Sequence, residues 1–187
     1  MAIRPRKQNT ISELRLDNMS SASEIRNPAQ LLHLAKINGI QTMPLDVISV
    51  ATKLLGLRLQ FKPLLESVSG CLKFDDDRWT IYINSKDHPK RQRFTLAHEI
   101  AHFVLHKDNQ DYDFTDKEFF RSSASQDKIE QEANNFAGAI LIPKEELRKL
   151  VVEDNIRELD KLSDIFDTSA IAIKVRSDVI SRGYYGF

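Results

Sequence analysis

Residues 93–104 read RFTLAHEIAHFV, and this stretch decides how the rest of the chain is interpreted. Apolar side chains recur on two sides of the helix that it would form, one side with Phe94, Ala97, Ala101 and Val104, the other with Leu96, Ile100 and Phe103. A helix that is apolar on most sides is buried in the protein. We therefore predict a buried helix over 94–106 that also encloses several polar side chains.

Two histidines and a glutamate lie within this predicted helix. His98 and His102 are four residues apart, so their side chains lie one turn apart on the same face. Two imidazoles in this arrangement can bind one zinc ion. Glu99 is rotated away from that face, where it can take a proton from the water on the metal rather than bind the metal itself. Such groups are costly to bury unless something satisfies them, and a metal ion does.

The two histidines alone do not complete a catalytic site, because catalytic zinc usually has three protein ligands and keeps one position for water. His106 lies about 12 Å beyond His98 along a straight helix, so it cannot share an ion with both other histidines. We interpret His106 as a residue that contacts a metal-binding side chain without binding the ion itself, or as a residue that only lies at the end of the helix.

The better third ligand lies on the next predicted helix, which covers about residues 126–141. Glu130, Ala133, Asn134 and Ala137 share one face of that helix, and the two alanines permit a close approach to the histidine helix. Glu130 can then reach the metal, and Asn134 can hydrogen-bond a ligating histidine. Glu132 lies about 200° around the helix from Glu130, so only one of the two can bind the ion. We prefer Glu130 and keep Glu132 as the alternative.

Short strands are predicted before the histidine helix, at 57–61, 70–74 and 79–84, with an aspartate-rich turn at 75–77. Helical patterns stand before and after them, so the fold class is predicted to be α+β, mainly helical, with a small three-stranded sheet. The last strand, with Tyr82 and Asn84, has two interpretations. It either presents an edge to which an extended substrate adds as a further strand, or it is purely structural.

The amino-acid composition limits the classes of protein to which the chain can belong. The chain has 187 residues, 41% of them hydrophobic and 29% charged, and its 27 basic residues balance its 27 acidic ones. A balanced charge does not favour nucleic acid or an anionic membrane as a partner. Cys71 is the single cysteine, and no apolar run suggests a secretory signal or a membrane span. We therefore expect a cytoplasmic protein without disulfides.

Four stretches together resemble the ImmA/IrrE family of metallopeptidases: IYIN at 81–84, RFTLAHEIAH at 93–102, EQEANNFA at 130–137 and LIP at 141–143. The resemblance extends over roughly residues 40–185. It implies a zincin-like fold in which His98, His102 and Glu130 bind one zinc ion per chain. It also implies that Glu99 is the general base of peptide-bond hydrolysis.

The resemblance further implies a substrate class and a domain organisation. Relatives cut helix-turn-helix repressors of the XRE type and so switch on stress, mobile-element or toxin–antitoxin genes. We expect a disordered tail over 1–21, a zinc peptidase domain over 22–143 and a helix-turn-helix-like segment over 144–187. The alternative is a non-catalytic regulator that contains zinc and controls a repressor or toxin by binding alone.

The helix-turn-helix-like segment raises the question of DNA binding. Its residues 156–187 carry as many acidic as basic side chains. A surface that neutralises several phosphates should show an excess of basic residues. Direct DNA binding is therefore not expected, and the expected partner is a protein substrate.

Overall fold

The computed structural model describes residues 25–108 and 124–183, with side chains from 128 onward in the second range. The tail predicted over 1–21 lies outside the described residues.

Two helical segments precede the sheet. Helix α1 (Pro28–Ile37) begins after Asn27, whose side chain accepts a hydrogen bond from the Gln30 amide. Helix α2 (Val47–Ser49) continues directly as a π-helical segment (Val50–Leu54). Asn27 followed by proline at the first helical position is a typical start signal, and the helical pattern predicted before the sheet is confirmed.

The sheet has three strands, β1 (Arg58–Lys62), β2 (Gly70–Asp75) and β3 (Arg78–Asn84), in the spatial order β1-β3-β2. Strand β2 pairs antiparallel with β3, and β1 pairs parallel with β3. Asp76 and Asp77 join β2 to β3 with φ angles of 46° and 57°. Positive φ at both central residues is the requirement of the tight hairpin turn that matches strand twist. The three predicted strands are confirmed, and the predicted aspartate-rich turn joins the last two.

The prediction that β3 offers an edge to a substrate is wrong, because β3 is the central strand and is paired on both sides. The Tyr82 hydroxyl donates a hydrogen bond to the Asp75 carboxylate, which raises the pKa of Tyr82. Hydrogen bonds from the Thr80 and Tyr82 hydroxyls lower the pKa of Asp75. Asn84 is buried, and its side chain bonds the backbone of Leu64, Leu65, Val68 and Lys86. Both side chains therefore hold the sheet and its connecting loop.

The remaining helices are α3 (Pro89–His106), α4 (Ala124–Leu141), α5 (Lys144–Arg148, continued by a π-helical segment Lys149–Glu153), α6 (Leu159–Phe166) and α7 (Ala170–Ser181). Helix α3 begins earlier than predicted, because Pro89 occupies its first turn and the His88 ring accepts a hydrogen bond from the Lys90 amide. Within the described ranges, every helix is too short or too polar to cross a bilayer. The α+β fold class is confirmed.

Helix α3 lies between the sheet and α4, and its apolar residues are in the centre of the core. Gly70 of β2 permits the close contact between α3 and the sheet. A Cβ atom there would come within 2.5 Å of Thr95 Cγ2 and 2.9 Å of the Tyr82 carbonyl oxygen. The close approach thus requires a residue without a side chain at position 70.

The C-terminal helices join the same core through Leu162, Phe166 and Ile173. Polar contacts also tie them to the start of α3. Arg93 Nε lies 3.4 Å from a carboxylate oxygen of Asp167, and Lys90 Nζ lies 3.1 Å from one of Asp164. The likeness of this segment to a helix-turn-helix stays a prediction.

Candidate metal centre

Two packed helices position the candidate ligands. Helix α3 supplies His98 and His102, and α4 supplies Glu130. Ala133 and Ala137 of α4 are fully buried, as small residues at a close helix contact must be. The alanine face that the sequence indicates is therefore the face that α4 buries.

The three candidate ligands converge. The two histidine Nε2 atoms lie 2.9 Å apart, and the Glu130 carboxylate oxygens lie 3.2 Å from His98 Nε2 and 3.4 Å from His102 Nε2. Their ligand atoms all fall within 4.8 Å of one another. Ligands 2.0–2.1 Å from a tetrahedral zinc ion are about 3.3 Å apart. The donor set and its spacing therefore fit a metal ion.

The ring orientation of His98 also fits metal binding. His98 Nδ1 lies 3.1 Å from Asn134 Oδ1, which can accept a hydrogen bond from a protonated Nδ1. A neutral imidazole protonated at Nδ1 carries its lone pair on Nε2, the atom that faces His102 and Glu130. The contact between Asn134 and His98 is the one that the helix-face pattern predicts.

A second contact between a histidine and a glutamate, His106 with Glu132, lies beside the three candidate ligands. His106 Nε2 is 3.2 Å from a Glu132 carboxylate oxygen, and the His106 ring centroid is 5.4 Å from that of His102. Lys128 Nζ lies 3.8 Å from the other Glu132 oxygen. Glu132 is thus directed at His106, and Glu130 is directed at the two histidines of the motif. Which glutamate binds the ion stays a prediction, and this geometry favours Glu130.

Sequence reasoning missed the partner of His106. The spacing within α3 places His106 beyond reach of an ion bound to His98, but it says nothing about α4. The sequence offers Glu132 only as an alternative ligand, although its position on the opposite side of α4 from Glu130 is the signal of a separate role.

The proposed base is enclosed by the protein. Glu99 is only 6% exposed, and it lies on α3 directly after His98. His102 is completely buried, whereas His98 is half-buried. The candidate site is therefore open on the His98 side and closed on the His102 side.

These features define an α+β domain with a candidate metal centre, to which one helix contributes two candidate ligands and its neighbour contributes a third. The IrrE N-terminal-like domain family of peptidases matches residues 52–178, which is more than half of the chain. The chain belongs to this metallopeptidase family.

Curated relatives share this assignment. The chain is 32% identical over 149 residues to the radiation response metalloprotease IrrE of Deinococcus deserti, covering 76% of the chain and 51% of the relative. It is 31% identical over 131 residues to the protein of that name from Deinococcus radiodurans, covering 67% of the chain and 39% of the relative. The chain thus spans about half the length, or less, of the curated relatives it matches.

A solved structure supports the fold. A Mycobacterium tuberculosis transcriptional regulator superposes with a TM-score of 0.56 over 86% of this chain and 49% of its own. Sequence identity between the two is 17%, so the likeness concerns the fold alone.

Proposed function

We propose that the chain is a zinc-dependent endopeptidase with a zincin-like arrangement, in which His98, His102 and Glu130 hold one zinc ion. The observation that carries the proposal is the convergence of two imidazole nitrogens and a carboxylate from neighbouring helices. Membership of a metallopeptidase family supports it. Zinc is preferred because a site of two histidines and one glutamate with an open position is typical of zinc hydrolases.

In this proposal a zinc ion supplies Lewis-acid activation of a water molecule and of the scissile carbonyl group. The residues of the chain orient the ligands and transfer the proton. Asn134 holds the His98 ring in the tautomer that directs Nε2 to the site. The Glu99 carboxylate accepts the proton of the attacking water and passes it to the leaving amine. The side chain of this proposed base is largely shielded from bulk solvent, since Glu99 is only 6% exposed.

The proposed substrate is a protein, namely a helix-turn-helix repressor of the XRE type in the cytoplasm. The resemblance to the ImmA/IrrE family supports this class. Because β3 is central, an extended substrate segment would have to add at an outer strand. Strand β2 is the suitable one, since it packs against α3 at the contact between Gly70 and Thr95.

Glu99→Gln tests the proposal, because it removes the base and keeps the shape and both histidines. General-base catalysis contributes roughly 10²–10⁴-fold in rate, so cleavage should fall by about that factor. Candidate repressors encoded nearby would be incubated with the parent and the variant, with and without a chelator, and cleavage followed by mass spectrometry. Glu145→Gln makes the same chemical change at an exposed position outside the candidate metal centre, and it serves as the control.

Two outcomes would contradict the proposal. If Glu99→Gln cleaves at the parent rate, Glu99 is not the base. If neither protein cleaves but both bind the repressor and relieve repression in a reporter strain, the chain is the non-catalytic regulator that the sequence leaves open.

A further inference from the structure

A cavity of about 650 Å³ lies between the start of α3, the middle of α4 and α7. Its walls are mainly apolar and include Phe94, Ala172, Val175 and Val179. Known pockets for small molecules have volumes of roughly 300–1,000 Å³ and are lined mostly by apolar side chains. The cavity therefore has the size and lining of a small-molecule pocket.

One charged group in its wall is buried. Arg176 of α7 is 5% exposed and lines the cavity, and its stem runs past Gly138, where a Cβ atom would lie 3.7 Å from Arg176 Cδ. Its Nε donates a hydrogen bond of 3.2 Å to the Ile142 carbonyl oxygen. That carbonyl, just beyond the C-terminal end of α4, offsets part of the positive charge.

The other nitrogen atoms of the Arg176 guanidinium have no hydrogen-bond acceptor among residues 25–108 and 128–183. A guanidinium offers five N–H donors, and Nε accounts for one of them. Within those ranges no carboxylate forms an ion pair with Arg176, and burial alone lowers its pKa. Burying a charge without a counter-charge is costly, so the site favours a bound anion.

The other cations at the cavity are already paired. Lys90 contacts the Asp164 carboxylate, and Arg91 contacts the Asp87 carboxylate. Within the described part of the chain, the cavity thus combines an apolar wall with one cation that lacks an acidic partner. An acidic peptide would require several cations, whereas a small monoanion requires one.

We propose that this cavity binds a small carboxylic acid with an apolar body, its carboxylate paired with Arg176. The apolar body then lies against Phe94, Ala172 and Val175. Arg and carboxylate groups form strong, often bidentate hydrogen bonds, which fixes the orientation of the ligand.

The cavity borders the metal centre without belonging to it. Asn134 lines the cavity and also makes the contact with His98 Nδ1. A ligand in the cavity therefore lies beside a residue that orients a candidate ligand of the metal. Binding of the acid does not depend on whether the chain hydrolyses peptides.

The test measures binding of octanoate and of 1-octanol to the full chain by isothermal titration calorimetry. The two probes share an apolar body and differ in the charged head group. We expect one octanoate per chain and binding of octanol that is roughly tenfold to a hundredfold weaker, because hydrogen bonds between charged groups are the stronger ones. Arg176→Gln should remove that preference.

Val175→Glu is the second variant, and it keeps the test decisive if Arg176→Gln does not fold. Val175 is 57% exposed, so a glutamate there is tolerated and repels a carboxylate in the cavity. Ser177→Glu makes the same charge change on an exposed part of α7 outside the cavity lining. We expect Val175→Glu to weaken octanoate binding about tenfold and Ser177→Glu to leave it unchanged. No saturable octanoate binding, equal binding of octanol, or equal effects of the two glutamates would overturn the proposal.

Discussion

Replacing Glu130 by glutamine tests the candidate metal centre most directly. The Glu130 carboxylate lies 3.2 Å and 3.4 Å from the Nε2 atoms of His98 and His102. Glutamine keeps the length of the side chain and one oxygen atom, but it removes a negative charge that strengthens the binding of a divalent cation. We therefore expect the fold to survive and zinc affinity to fall.

The size of the effect follows from the position of the residue. Mutating groups that only support metal ligands typically costs 10–100-fold in affinity. Loss of a ligand itself should cost at least the upper end, about 100-fold. With zinc at a hundred times the dissociation constant of the parent, such a loss removes about 2 kcal/mol of stabilisation by bound metal. Thermal unfolding with and without zinc would show this as a smaller metal-dependent shift.

Glu132→Gln is the matched control, since it removes the same charge two residues away. Glu132 contacts His106 rather than the two motif histidines, so its loss should weaken zinc binding less than about tenfold. Both variants would be titrated against a fluorescent zinc chelator of known affinity. If Glu132→Gln loses zinc and Glu130→Gln keeps it, the assignment of the third ligand is wrong.

Three further changes have expected outcomes. Asn134→Ala should lower zinc affinity about 10–100-fold by freeing the His98 ring, measured by the same chelator competition. Gly70→Ala should lower the free energy of unfolding by about 1–3 kcal/mol in urea, because the new methyl group meets Thr95; no change would refute the close contact. Asp46→Ala should cost about 1 kcal/mol at pH 7 by removing the cap of α2. The Ser49 amide lowers the Asp46 pKa below 3.8, so this difference should persist at neutral pH and vanish as the pH falls through that lowered pKa.

Local signals explain why most elements could be predicted. Asn27 followed by proline, the aspartates at 75–77 and the apolar faces of 94–106 each act within a few residues of the chain. Pairs such as Glu130 with His98 also had a local signal, namely the alanines on the same face of α4. Where the residue pattern of a helix indicates which face is buried, it also indicates which of its side chains can contact the neighbouring helix.

The pairing of strands that are distant in sequence has no such local signal. The alternation of Leu57–Phe61 and of Trp79–Asn84 predicts strands, but it does not say that β1 pairs with β3 rather than with β2. Strand order decides which strand has an exposed edge, so the alternation alone could not exclude the interpretation of β3 as an edge strand. The position of Arg176 has no local signal either, because only the tertiary fold shows that its charge is enclosed beside α4.

The metal centre and the hydrophobic core depend on the same helix contact. Ala97 and Ala101 of α3 are fully buried, as are Ala133 and Ala137 of α4, and the two helices pack against each other. A larger residue at Ala133 or Ala137, on the face of α4 that carries Glu130, would push the helices apart and overpack the core, at a typical cost of about 1–3 kcal/mol. The same displacement would separate Glu130 from both histidines. Stability and metal binding should therefore fall together in variants of this contact, whereas Glu130→Gln should separate them.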